Sequence, residues 1–332
     1  MDLHSFFLSF DVEDFISENS VPCMHNVLEL MKKHELQGLF FITGNMAEKL
    51  DNFPATVDLL SEHQIGYHSS SHSIHPTLFE FTDVRSYEDA YQTSLIRETT
   101  HINPITGAIE GSGGIHALRA LFPKKQIVAF RAPGYCWSPP HLEALKTFGI
   151  TYDFSTNISV EPITFRGITF YPYTISTTNW QGGIHDHYNL QRFTLKRKVT
   201  VLTIHPSTMV NQLDWDLIYY HKYNNFKNNP LNLTKPPPRP PAEASSIFHR
   251  FDMLLKHLRA LKKIHLLEVT PRLETANNIL HPASADIGRF YEMSVHWAKG
   301  FEYEPKFLYD HFIRFFEIHS LNEVTSPHLP KS

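Results

Sequence analysis

Two short segments in the first quarter of the chain carry side chains that could bind and use a metal ion. Asp11, Glu13 and Asp14 lie within the run Phe-Asp-Val-Glu-Asp-Phe, and His68 and His72 follow about fifty residues later. Carboxylates and imidazoles are ordinary zinc ligands, and three protein ligands leave one position open for water. The combination predicts a hydrolytic metal site. Taken alone, the acidic cluster could be a solvated turn, and the histidine pair could arise by chance in a chain with 22 histidines.

The spacing of these residues predicts which of them share a face. Side chains alternate along a strand, so Asp11 and Glu13 should project together from the end of the first strand. Catalytic groups gather at that end of the strands in parallel α/β barrels. His68 and His72 are four apart, which would stack both rings on one side of a helical turn. His75 is interpreted as a supporting or surface residue.

Two more strand ends carry residues that could support catalysis. Arg131 follows a short apolar run and could hold a neighbouring carboxylate ionised through a charge-assisted hydrogen bond. His205 closes another apolar run just before Pro206, where it could act as a general acid or base. The competing interpretations are an ordinary surface cation and a packing histidine.

The order of the predicted elements indicates the fold class. Buried strands alternate with amphipathic helices over most of the chain, which favours an α/β fold with a largely parallel sheet that can close into a barrel. The predicted strands are 3–12, 39–42, 64–67, 127–130, 150–154, 200–204 and 265–269, and the predicted helices are 27–34, 55–62, 86–100, 140–148 and 247–263.

Two segments interrupt this alternation. Residues 213–244 are rich in Asn and Pro and predict a stiff, extended insertion, not a domain core. From Pro271 onward the strand–helix pattern stops, and a helix is expected within 303–321. We therefore expect a barrel domain at 1–270 and an extension at 271–332 that covers the barrel or contacts a partner.

Charge and composition exclude several classes of function. The net charge of −4 gives no electrostatic basis for binding nucleic acid or an anionic membrane. Two cysteines are too few for a disulfide framework or a thiolate metal site. No uncharged stretch is long enough for a membrane span, and no leader pattern opens the sequence, so a cytoplasmic location is expected.

Four segments, in order, resemble the motifs of the polysaccharide deacetylase (NodB-homology) family, carbohydrate esterase family 4. They are residues 10–14, 65–72, 130–135 and 202–206. The resemblance implies a distorted (β/α) barrel of about seven strands. It also implies a divalent metal, expected to be Zn²⁺, on Glu13, His68 and His72, with Asp14 as the alternative ligand.

The resemblance also implies roles for the other motif residues. Asp11 would be the catalytic base, Arg131 would orient it, and His205 would protonate the leaving amine. A backbone N–H near Tyr135 would stabilise the oxyanion, and Tyr135 and Trp180 are candidates for sugar stacking.

The chain departs from the family pattern at three places. Glu13 lies two residues after Asp11, where the usual first motif has adjacent aspartates. Gly134 occupies the slot usually held by tyrosine. The aspartate that orients the terminal histidine has no clear counterpart, with Asp153 and Asp186 as candidates.

The resulting hypothesis is metal-dependent removal of an N-acetyl group from an amino sugar. The sugar could be nucleotide-linked, lipid-linked or polymeric, within polysaccharide or O-antigen biosynthesis. The alternatives are a related amidohydrolase acting on a non-sugar C–N amide bond and a non-catalytic carbohydrate-binding homologue. The sequence predicts no oligomeric state.

Overall fold

The computed structural model describes residues 4–72, 74, 84–156, 162–172, 175–176, 199–215, 235–260, 264–266, 284–300 and 306–316. His75, Trp180 and Asp186, which the sequence singled out, lie outside these residues.

The main sheet has ten strands and is parallel except at one edge. The hydrogen-bonded order is β10-β11-β1-β2-β3-β6-β7-β9-β8, with β12 also paired to β1, and only β8 and β9 are antiparallel in it. The strands are β1 (His4–Val12), β2 (Leu39–Ile42), β3 (Gln64–Tyr67), β6 (Ala129–Phe130), β7 (Tyr152–Thr156), β8 (Ile163–Phe165), β9 (Ile168–Pro172), β10 (Ile175–Ser176), β11 (Val199–Ile204) and β12 (Ile264–Leu266). Six of the seven predicted strands lie side by side in the parallel path β11-β1-β2-β3-β6-β7, and the seventh is β12, paired to β1. The sequence did not predict β8, β9 or β10.

The sheet curls so that distant strands share one interior. Phe7 of β1 packs its ring edge-on against Phe154 of β7 at 5.1 Å and against Tyr171 of β9 at 5.2 Å. Three strands separate β1 from β7 in the hydrogen-bonded order, so a flat sheet could not make these contacts. The expected α/β fold with a distorted barrel is confirmed.

Helices cover the outer face of this sheet. They are α1 (Ser20–Lys33), α2 (Gly44–Leu50), α3 (Pro54–Leu60), α4 (Tyr87–Thr99), α5 (Ile115–Leu121), α6 (Pro139–Thr147), α7 (Pro241–Ala260), α8 (Ser284–Gly300) and α9 (Leu308–Phe316). Helix α1 begins seven residues before the predicted start, because Pro22 lies in its first turn, where a missing N–H costs little.

A separate two-stranded antiparallel sheet lies between α4 and α5. It pairs β4 (Thr100–Ile102) with β5 (Ile109–Ser112). Neither strand was predicted from the sequence, because the glycines at 111, 113 and 114 interrupt the pattern that a strand would show.

The last two helices pack on the barrel. Trp137 contacts Phe290 of α8 at 5.6 Å and Phe312 of α9 at 5.0 Å, and Phe165 of β8 stacks on Phe316 at 4.8 Å. These contacts join both helices to the core that lies between sheet and helices. The expected helical C-terminal region is confirmed.

The predicted insertion at 213–244 is described only at its two ends. Trp215 at one end is fully buried, and at the other end α7 begins at Pro241, so residues 241–244 are helical. Proline fits the first turn of a helix because its ring already has a helical φ. Within the described part of the chain, no helix combines the length and apolarity needed to cross a bilayer.

Candidate metal and catalytic site

Four strands end at the same edge of the barrel, and each delivers a polar residue there. Asp11 lies near the end of β1, and His68, Arg131 and His205 directly follow β3, β6 and β11. Because these strands are parallel, their carboxyl ends meet at one rim. All four residues belong to motifs that the sequence singled out.

Glu13, His68 and His72 converge on one point of this rim. The Nε2 atoms of His68 and His72 lie 2.9 Å and 3.0 Å from the same oxygen, Oε2 of Glu13. All three side chains are buried. Their ligand atoms lie within 4.8 Å of one another.

The two histidines are brought together by a loop and not by the helical turn that their spacing suggested. Ser69 and His72 have positive φ values of 64° and 57°, which no helix contains. The Ser69 hydroxyl accepts a hydrogen bond from the His72 N–H at 3.1 Å. Backbone strain of this kind persists where surrounding contacts fix it, and it clusters at functional sites.

Helix α2 fixes that loop from the side. The N–H groups of Gly44 and Asn45, at the start of the helix, donate to the carbonyls of Ser69 and Ser70 at 3.0 Å and 2.9 Å. These N–H groups have no partner within their own helix. The backbone carbonyls of these two serines therefore fix the loop to the start of helix α2.

The proton positions in the cluster call for a cation. The carbonyl of Arg131 lies 2.7 Å from Nδ1 of His68 and can only accept, so Nδ1 carries the proton. If the ring is neutral, Nε2 carries no proton and can only accept a hydrogen bond. It then faces Oε2 of Glu13, which is also an acceptor. A metal ion or an extra proton must sit among these atoms, and a carboxylate with two imidazoles is a donor set that suits Zn²⁺.

Electrostatics at Glu13 support the same conclusion. Burial by itself would raise the pKa of Glu13, but the charge of His72 and hydrogen bonds from His68 and His72 hold it well below its usual range. The two histidines therefore keep this buried carboxylate ionised, as a metal ligand must be.

Asp11 lies beside this cluster in a different environment. Arg131 Nη1 contacts Asp11 Oδ1 at 2.5 Å, and His205 Nε2 lies 3.5 Å from Oδ2. Arg131 also donates to the Ser9 hydroxyl at 2.9 Å and to the Phe154 carbonyl at 3.3 Å. Arg131 therefore binds Oδ1 of Asp11 and leaves Oδ2 facing His205.

A second group of possible ligands, Asp11, Glu13 and His205, also falls within 4.8 Å among the described residues. A cation there would lie next to the fixed positive charge of Arg131, which opposes it. This second group is therefore the less suitable of the two for a divalent cation.

Asp14, the alternative ligand, is engaged elsewhere. Its Oδ1 accepts hydrogen bonds from the N–H groups of Ile16 and Ser17, at 3.2 Å and 2.8 Å, and its Oδ2 accepts from Asn211 at 3.2 Å. These bonds shape the turn after β1. Asp14 is in neither group of possible ligands among the described residues.

Tyr135 lies in a tight turn that uses its backbone N–H. That N–H donates to the carbonyl of Ala132 at 2.9 Å, and the φ of Tyr135 is 57°. An oxyanion could receive this N–H only if the turn bond were broken. The N–H of Tyr135 itself is therefore used within the turn.

Asp153 was one candidate to orient His205, but its hydrogen bonds are made elsewhere. Its two oxygens accept from the N–H and the hydroxyl of Ser155, at 3.0 Å and 2.8 Å. Burial raises the pKa of Asp153 to about 7, despite these bonds and the nearby charge of Arg131.

Sequence reasoning missed two residues of the site, Asp214 and Trp215. The Trp215 indole N–H donates to Oε1 of Glu13 at 3.2 Å, and its ring meets His72 edge-on at 5.3 Å. Asp214 Oδ1 is buried without a hydrogen-bond partner. The adjacent Asp-Trp pair was a signal, but it stands in a polar segment that was interpreted as an insertion.

Comparison with known proteins supports the resemblance seen in the sequence. Residues 3–152 match the polysaccharide deacetylase family. The matched region includes Asp11, Glu13, His68, His72 and Arg131. His205 and Trp215 lie beyond it, and no curated protein gives a significant match.

Solved structures provide distant likenesses to this chain. A putative polysaccharide deacetylase from Mycobacterium smegmatis is 13% identical, with 92% of this chain and 93% of that one covered and a TM-score of 0.48. A 4-alpha-glucanotransferase from Thermococcus litoralis is 13% identical, with coverages of 90% and 47% and a TM-score of 0.49. A putative polysaccharide deacetylase involved in O-antigen biosynthesis from Bordetella bronchiseptica is 13% identical, with coverages of 76% and 90% and a TM-score of 0.37.

Proposed function

We propose that the protein is a metal-dependent hydrolase that removes the acetyl group from an N-acetylated amino sugar. The observation that carries the proposal is the convergence of Glu13, His68 and His72 on one point, beside the Asp11–His205 pair. Family membership of the matched region supports an amide or ester of a saccharide as the substrate class. Glu13, His68 and His72 would hold the metal, with Zn²⁺ as the expected ion.

A bound divalent cation would supply a water whose pKa is lowered toward 7 and would polarise the substrate carbonyl. The protein's own residues would then move the protons. Asp11 has Oδ1 fixed by Arg131, so Oδ2 is the oxygen that would take a proton from the attacking water. Arg131 would keep that carboxylate in one orientation throughout.

His205 would complete the reaction as the general acid. Its Nε2 lies 3.5 Å from Oδ2 of Asp11, so both groups face the same small volume. As the C–N bond of the tetrahedral species breaks, His205 would give a proton to the departing nitrogen. The products are acetate and a free amino sugar.

Asp214 is the candidate partner of His205 that the motif analysis lacked. The positive charge of His205 acts on this buried carboxylate, whose pKa burial raises to about 6. Its buried Oδ1 has capacity to accept a hydrogen bond. We include Asp214 as an orienting or substrate-binding group, beside the sugar-stacking roles expected for Tyr135 and Trp180.

The test offers the zinc-loaded protein a panel of N-acetylated nucleotide sugars, lipid-linked saccharides and oligosaccharides, including intermediates of polysaccharide and O-antigen assembly. Mass spectrometry would show the loss of one acetyl group and the release of acetate. Asp11→Asn is the matched control, because it preserves shape and removes the base.

The two alternatives make different predictions. A metal-free amidohydrolase would hydrolyse a non-sugar amide with no bound ion, whereas a carbohydrate-binding homologue would bind saccharides and release no acetate from any of them. Metal content together with turnover separates the three cases.

A further inference from the structure

His205 and Trp215 are brought to the site by one stretch of chain, residues 205–215, which we call the arm. The arm leaves β11, turns through residues 206–209 and ends with the Trp215 ring against His72. It carries the proposed general acid at one end and the hydrogen-bond donor to Glu13 at the other. Because the arm lies outside the regular strands, contacts with neighbouring segments must fix its position.

The inner side of the arm is attached to the turn after β1 through Asn211. Its Nδ2 donates to Asp14 Oδ2 at 3.2 Å and to the Ser17 hydroxyl at 3.3 Å, and its Oδ1 accepts from Asn19 at 2.9 Å. Asn211, Asp14 and Ser17 are all buried, so the two bonds that Nδ2 donates are shielded from water. Asp14 is thus linked to the arm through Asn211.

The outer side of the arm is held by residues 235–240, the proline-rich segment, which we call the strap. Gln212 N–H donates to the Pro237 carbonyl at 2.9 Å, and Arg239 N–H donates to the Val210 carbonyl at 2.8 Å. The Arg239 side chain also donates from Nε to the Thr208 carbonyl at 2.8 Å. Consecutive prolines stiffen the strap before it binds, so holding the arm costs little chain entropy.

We propose that Asn211 is a positioning residue which, with the strap, fixes Trp215 against Glu13 and thereby orients that carboxylate toward the two imidazoles. The inference rests on the proposed function in so far as Glu13 is taken as a metal ligand. The physical reason is that Trp215 fixes one oxygen of Glu13 and leaves the other for His68 and His72. Such outer partners tune metal affinity about 10- to 100-fold.

The first experiment measures Zn²⁺ affinity by competition with a chromogenic chelator in a mutant cycle. Trp215→Phe is expected to weaken binding about 10- to 100-fold, and Asn211→Ala about 10-fold. The double variant should bind no more than about 2-fold more weakly than Trp215→Phe, because both changes remove one interaction. Independent, multiplicative effects of the two changes would overturn the inference.

The matched control is Asn103→Ala, which removes side-chain bonds to the N–H groups of Ile105 and Thr106 in an exposed turn. It should leave Zn²⁺ affinity unchanged.

Arg239→Met removes the hydrogen bond from the strap to the Thr208 carbonyl. It therefore tests the position of the arm even if Asn211→Ala folds poorly. It should weaken Zn²⁺ binding in the wild-type background and not in Trp215→Phe.

The second experiment needs neither metal nor substrate. The protein is labelled with 5-fluorotryptophan, and Trp215→Phe assigns the ¹⁹F resonance of that ring in the metal-free state. Asn211→Ala and Arg239→Met should shift or broaden this resonance, whereas Asn103→Ala should not. An unchanged resonance in both variants would overturn the inference. Absence of Zn²⁺ binding by the wild-type protein would instead count against the proposed function alone.

Discussion

Arg131 Nη1 lies 2.5 Å from Oδ1 of Asp11, and the two residues are 120 positions apart in the chain. Both are buried, and the guanidinium also lies 4.3 Å above the ring of Phe41. The pair joins β1 to β6 across two intervening strands. It therefore serves the fold and the orientation of the proposed base at once.

Arg131→Met should lower the free energy of unfolding by about 3–5 kcal/mol, because it leaves the Asp11 carboxylate buried without its partner. Urea denaturation of the metal-free protein measures this. Arg166→Met is the control, since Arg166 pairs with Glu143 at 3.1 Å with both side chains partly exposed. That change should cost no more than about 1 kcal/mol. Equal losses in the two variants would contradict the role of the Asp11 pair.

Glu13→Gln should abolish stoichiometric metal binding while the protein remains folded. An amide retains the shape of the side chain but supplies no negative charge to offset the ion, so Zn²⁺ affinity should fall by at least about 100-fold. Metal content after dialysis is the measurement. Glu48→Gln, which removes a partner of His101 away from the cluster, should keep its metal. Full retention of zinc by Glu13→Gln would exclude the assigned site.

Asp11→Asn should retain metal and lose turnover. General-base catalysis contributes about 10²- to 10⁴-fold, so kcat should fall within that range while KM changes little. Acetate release measured alongside metal content separates this result from loss of the ion. Turnover within 2-fold or so of wild type would remove Asp11 from its role.

Asp214→Asn should stabilise the metal-free protein and slow the reaction. A buried carboxylate oxygen without a hydrogen-bond partner is costly, and neutralising it should raise the free energy of unfolding by about 1–2 kcal/mol at pH 8. The pKa of Asp214 is raised to about 6, so the gain should shrink as the pH falls below that value. Loss of stability in this variant would show that Asp214 is already paired within the fold.

Asp153 should make the protein less stable as the pH rises. Its pKa is raised to about 7 by burial, so between about pH 4 and pH 7 the folded state binds more protons than the unfolded state. Stability from this group is thus present at low pH and lost as the pH passes 7. Asp153→Asn should remove the effect, giving a stability gain over wild type that grows from pH 5 to pH 8 by roughly 1–4 kcal/mol. Urea denaturation at several pH values checks this, and parallel profiles would contradict it.

Much of the fold and part of the site could be predicted from local sequence patterns. Apolar runs and helical spacing located the strands that end near Asp11, His68, Arg131 and His205, because burial imposes a period on each element. The parallel arrangement then required those ends to meet at one rim. The sequence by itself therefore determined that Asp11, His68, Arg131 and His205 gather there.

Tertiary structure decided how those side chains are used. The sequence left Glu13 and Asp14 as alternative metal ligands. In the structure, Glu13 faces the two imidazoles. Asp14 instead accepts hydrogen bonds from Ile16, Ser17 and Asn211. Trp215 meets Glu13 across 202 positions. A contact of this kind cannot be predicted from sequence periodicity. It arises because the arm packs between the turn after β1 and the strap, and not from any local preference of its residues.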